Sequence, residues 1–204
     1  MLCFSSAPTL AQETVGNPLV DGAAGADTAP GAIFVELDGF SQAGQLSSFA
    51  FFNNDLSQND RELTPLVLEL VGSDFFIRGV GAAVTNTGSG AQTYPFALTE
   101  GSSAVGPNFF FGYKNGLDSD SNQPGVIEFS FVPGATSERF FGQNFANNLD
   151  PDVNLGQGTF LGAPIGQQER VYSVQATSVP EPASAGLLAL GAFGMVALRR
   201  RKSA

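Results

Sequence analysis

The stretch "VIEFSFV" at residues 126–132 decides the fold class. Ile127, Phe129 and Phe131 fall on one side of an extended chain, and Glu128 and Ser130 fall on the other. That is the two-residue period of a strand with one face buried. "AIFVELD" (32–38) repeats the pattern, with Ile33, Val35 and Leu37 opposed to Glu36 and Asp38, and "RVYSVQAT" (170–177) is a third case. Denser apolar runs lie between them: "LSSFAFF" (46–52), "PLVLELV" (65–71), "FFIRGVGAAV" (75–84), "YPFALT" (94–99) and "NFFFGYK" (108–114). Each is short, rich in Phe or β-branched residues, and bounded by Gly, Asn, Asp or Pro, as core-facing strands are. None carries the 3.6-residue stripe of an amphipathic helix.

Strands at roughly ten-residue spacing with no alternating helices predict an antiparallel β-sandwich of jelly-roll type, in a single all-β domain over residues 31–177. Eight or nine strands are expected. The chain holds 19 Phe and no Trp, so phenyl rings are expected to fill the core. Residues 133–168 are the least regular part. Residues 12–30, rich in Gly, Ala and Pro, are expected to be a flexible leader. "MLCFSSAPTLA" (1–11) has the small residues that close a secretory signal peptide but lacks its cationic start, which predicts a truncated signal-peptide remnant with the true start upstream. A frayed N-terminus is the alternative.

The 204 residues carry nine cations, 19 acids and a formal charge of −10. Arg199, Arg200, Arg201 and Lys202 supply four of those cations, which leaves five against 18 acids before residue 180. Such a surface repels phosphates, so no nucleic-acid partner is expected. The absence of His excludes imidazole catalysis and His-ligated zinc. Cys3 is the only cysteine, so the body has neither a disulfide nor a catalytic thiol.

Two loops share the spacing D-x-D-x-N: Asp118, Asp120 and Asn122 in one, Asp150, Asp152 and Asn154 in the other. Oxygen ligands at alternate positions suit Ca²⁺ as a cofactor. Neither loop completes an EF-hand, since Gln123 and Leu155 stand at the glycine position and Phe129 and Leu161 at the glutamate position. Asx-turn loops that keep an acidic protein soluble are the alternative. Tyr113, beside Lys114 and Asn115, is the aromatic expected to serve as a glycan-stacking platform, with Tyr94 and Tyr172 behind it. Glu62, Glu69, Glu100 and Glu128 are the acids a glycosidase could pair, but no spacing singles out two of them. No enzyme is predicted, and no catalytic residue is assigned.

The tail changes character. Residues 183–198 are 16 uncharged, mostly apolar residues, followed by the basic cluster at 199–202. A helix there would be about 24 Å long, slightly short of a bilayer core of roughly 30 Å. The cluster can snorkel to headgroups and hold that end in the cytoplasm, so a C-terminal transmembrane helix is expected. Immediately before it stand Val179, Pro180, Glu181 and Pro182, whose prolines favour an extended chain.

Pro-Glu-Pro, an apolar helix and terminal arginines in that order resemble the PEP-CTERM sorting signal of exported bacterial proteins, also catalogued as an ice-binding-protein C-terminal domain. The resemblance covers residues 179–202 and places the whole signal at 178–204. It implies an exosortase, a membrane transpeptidase-like enzyme, as processing partner. It further implies a transient anchor in the inner membrane, release or attachment at the cell surface, and an association with exopolysaccharide and biofilm. An ordinary C-terminal anchor is the alternative for the tail. The ice-binding name finds no T-x-T array in the body.

The expected function is therefore that of an exported, non-catalytic cell-surface or matrix protein. A carbohydrate-binding module, with or without Ca²⁺, is the alternative, with extracellular polysaccharide as its partner.

Overall fold

In a computed structural model of the chain, the residues described are 11–22, 24–26, 30–54, 61–116, 125–135, 138–141, 149, 151, 158–159, 161 and 169–181. They form strands and no helix: β1 (Glu13–Gly16), β2 (Ile33–Glu36), β3 (Gly44–Asn53), β4 (Glu62–Val71), β5 (Asp74–Gly81), β6 (Val84–Thr85) and β7 (Gly90–Pro95). These are followed by β8 (Leu98–Gly101), β9 (Ala104–Val105), β10 (Phe109–Asn115), β11 (Phe129–Phe131), β12 (Glu138–Phe141), β13 (Arg170–Tyr172) and β14 (Val174–Pro180). Every pairing among them is antiparallel. The all-β, antiparallel expectation holds.

One sheet has the order β1-β14-β3-β7, with β9 also on β3; the larger has the order β12-β2-β10-β4-β5-β8, with β6 also on β4; β11 and β13 form a pair of their own. The β4–β5 hairpin turns on Gly72 and Ser73, where Gly72 takes a φ of 67° that a side chain would resist. The first two sheets share one buried cluster. Val15, Phe49, Phe51, Val174 and Ala176 come from the smaller sheet, and Phe34, Leu63, Val67, Phe111 and Tyr113 from the larger. Phe49 lies against Phe111 at 5.8 Å, and Phe34 stacks on Tyr113 at 5.1 Å. Phenyl rings fill this core as expected.

The larger sheet also buries its other face. Ile33, Val35, Leu66, Leu68, Phe75, Ile77 and Phe141 form a second cluster with Leu161, and Leu149 packs on it. Thus Phe34 of β2 points to one core while its neighbours Ile33 and Val35 point to the other. A strand covered on both sides reads as a continuous apolar run, which explains why "PLVLELV" shows little alternation. Part of the cover comes from Phe141, Leu149 and Leu161, which follow β11 in the chain. Ile77 donates its N–H to the Thr159 carbonyl, and Leu161 donates to that of Phe75.

Three expectations are corrected. The alternation expected of residues 126–132 is not found: Val126, Ile127, Glu128 and Phe129 are all buried, with Glu128 3% exposed, while Phe131 is 64% exposed and only Phe129–Phe131 form a strand. The leader expectation fails over residues 13–16, which form β1 on β14, and Ala26 bridges to Glu128. Acidic side chains tie this segment down by accepting hydrogen bonds. Glu13 accepts from Ser41 and Gln42, Asp38 from the Gly16 N–H, and Glu128 from the Gly22 N–H. The boundary at 177 also moves, because β14 runs on to Pro180. No helix among the described residues is long and apolar enough to cross a membrane. The stretch 183–198 lies outside them.

Candidate functional site: the end of strand β14

β14 runs between β1 and β3. Its first residues, Val174 to Thr177, pair with Phe51 to Ser48 of β3. The register then slips by one residue: Ser178 lies opposite Leu46, Val179 opposite Gln45 and Pro180 opposite Gly44, so Ser47 faces no partner residue. Ser47 closes the bulge by donating its hydroxyl to the Thr177 carbonyl at 3.0 Å. On the other side of β14, pairing with β1 stops at Ser178, opposite Glu13. Val179 and Pro180 therefore pair with β3 alone. Pro180 has no N–H to donate and ends the ladder.

Glu181, just past the strand, is caught by a side chain. Gln45 Nε2 donates to Glu181 Oε1 at 3.0 Å, and Ser103 Oγ donates to Gln45 Oε1 at 2.6 Å. Both faces of the Gln45 amide are thus in use. β9 pairs with Gly44 and Gln45 from the far side, which stiffens this end of β3. Val179 is 41% exposed and Ser178 buried.

Residues 178–202 match the family model for the PEP-CTERM protein-sorting motif. The chain carries a PEP-CTERM motif. No curated protein compared with the chain matches it. The PEP-CTERM motif implies export, an exosortase as processing partner, and a C-terminus anchored in the membrane before processing. Of the expected motif residues, Val179, Pro180 and Glu181 sit at the end of β14, while Pro182 and the cluster Arg199, Arg200, Arg201 and Lys202 lie outside the described residues.

The other candidates fare differently. Tyr113 is corrected: it is 1% exposed, stacked on Phe34 and edge-on to Tyr172, so it belongs to the core and offers no platform to a sugar. Tyr172 is buried as well, and Tyr94 is half-buried between Phe49 and Phe51. A phenol beside Lys and Asn reads equally well as surface or as core, and only the partner sheet decides. Asp118, Asp120, Asn122, Asp150, Asp152 and Asn154 all lie outside the described residues. Among the described residues no group of three or more acids or thiols is placed to hold a metal.

Of the four glutamates, Glu69 is paired with Arg78 at 2.7 Å, and Glu62 and Glu100 are exposed. Glu128 is buried, and desolvation pushes its carboxyl up against the opposing donors Asn54 N–H and Gly22 N–H, with Asp21 adding to the rise. Glu36 was not singled out by sequence and is the most perturbed acid described. It is 1% exposed, and burial raises its pKa from 4.5 to about 7, although the Asp38 N–H and the Asn17 amide donate to it. Sequence also missed Gly44, Gln45 and Ser103 as partners of the motif. They lie far from it along the chain and no local pattern marks them.

Proposed function

We propose that the protein is an exported, non-catalytic component of the cell surface or extracellular matrix, delivered by exosortase processing at Pro180, Glu181 and Pro182. The match of residues 178–202 to the PEP-CTERM motif is the observation that carries the reading. In it, residues 183–198 cross the inner membrane as a helix, with the basic cluster on the cytoplasmic side and the acidic body on the other. The body acts as a jelly-roll-like β-sandwich, a reading supported by the cluster that the two larger sheets share. Its place beside exopolysaccharide and biofilm is part of the same proposal. The two prolines keep the cleavable peptide extended at the membrane surface.

Expression of the full chain in a Gram-negative host with and without its exosortase tests this. Processing to a shorter surface or medium form is expected only with the enzyme, and Pro180→Ala with Pro182→Ala should leave the precursor in the inner membrane. Identical processing in the strain without the enzyme would refute it.

A further inference from the structure

Three residues serve two structures at once. Ser178, Val179 and Pro180 are the last residues of β14 and the first of the matched motif. No spacer separates the folded body from the peptide that has to be processed.

Several features make this overlap a clasp. The bulge at Ser47 interrupts the ladder, so residues 178–180 and 44–46 form a short unit that can open without unzipping residues 174–177. Leu46 donates its N–H to the Ser103 carbonyl on the far side, so by strand alternation the main-chain groups of Gln45 face Val179. On the β3 side one main-chain pair and one side-chain bond, from Gln45 to Glu181, therefore hold the motif, and on the other side its first residue, Ser178, pairs with Glu13 of β1. Gly44 permits the approach: a Cβ there would stand 2.5 Å from the Val179 carbonyl oxygen and 3.2 Å from its carbon. The dock itself is braced by β9 and by Ser103.

Enzymes that cut or transfer extended peptides bind the main chain as an added strand. A motif whose edge is already bonded to β3 cannot offer that edge. We propose that the body holds its own sorting motif closed, with residues 44–46 of β3 as the intramolecular partner of residues 178–180 and the Gln45 amide as a clamp on Glu181. Processing then proceeds from the fraction of molecules in which this ladder is open. The clasp as a gate rests on reading residues 178–202 as an exosortase-directed signal; the clasp as a structure does not.

The test uses the full chain and two variants, Gly44→Ala as a wedge and Gln45→Ala as a loss of the clamp. Pulse–chase in an exosortase-bearing host should show the precursor converted about fivefold faster in each, the factor set by the net worth of one hydrogen bond. Amide exchange on the purified protein should show Val179 exchanging faster by a similar factor, with Val174 and Ala176 unchanged, which separates local opening from general loss of stability. Equal or slower processing despite faster Val179 exchange overturns the gate. Wild-type Val179 exchanging as fast as an unstructured peptide overturns the clasp itself. If the wild type is not processed where other substrates of the enzyme are, the sorting reading falls and the gate with it, while exchange at Val179 still reports the ladder.

Discussion

Replacing Glu36 by Gln should stabilise the protein at neutral pH and leave it unchanged in acid. The side chain is 1% exposed, between the Asn17 amide at 2.6 Å and the Asp38 N–H at 3.3 Å, and desolvation raises its pKa from 4.5 to about 7. Below about 4.5 the carboxyl is protonated in both the folded and the unfolded chain, so burial costs no ionisation. Between 4.5 and 7 the unfolded chain loses the proton and the folded chain keeps it, so stability falls by about 1.4 kcal/mol per pH unit. Above pH 7 the loss levels off near 3 kcal/mol, an upper figure that corresponds to roughly 6–12 °C in Tm for a protein of this size. Gln is isosteric and never ionises, and the Asn17 amide can turn to accept from its NH₂ group. Urea unfolding at pH 4.5, 6, 7 and 8 measures the difference directly. Tyrosine fluorescence can report it, since the chain has three Tyr and no Trp. The rise at Glu128 acts with the same sign and the lowering at Glu13, whose hydrogen bonds from Ser41 and Gln42 outweigh desolvation, with the opposite sign, so only the difference between variant and wild type isolates Glu36. A difference that does not change with pH would refute the reasoning.

Tyr113→Ala should cost about 3–5 kcal/mol, as truncation of a buried aromatic does, and denaturant midpoints should show it; unchanged stability would mean that the ring is not in the core. Gly112→Ala in β10 should cost about 1–3 kcal/mol, because the new Cβ would collide with the Leu68 side chain and stand 2.8 Å from the Phe34 carbonyl oxygen. A variant melting with the wild type would show that the two strands can part at no cost.

The strands were legible because each is a short run of apolar and β-branched residues bounded by turn formers, alternating at 32–38 and continuous at 65–71 and 108–114; all three runs contain strands, and no helix intrudes among the described residues. The sorting motif was legible for a related reason. Its three parts are contiguous, so one short window of sequence contains the whole pattern. Which face of a strand is buried, and against what, is a property of two or more strands together. Val35 and Phe34 look alike in sequence yet serve different cores, and Tyr113 changes from candidate platform to core ring once Phe34 and Tyr172 close on it.

The sequence by itself determined the all-β class, the exclusion of imidazole chemistry, and the PEP-CTERM motif at residues 178–202, because these depend on residue identity and short spacing. Only the tertiary structure decided that Glu36 is buried in a setting that holds its proton, that residues 13–16 join a sheet, and that the sorting motif begins inside a strand pinned by Gln45. Each of these depends on chain segments distant in sequence meeting in space, where desolvation and hydrogen bonding act on the pair and neither segment carries the signal alone.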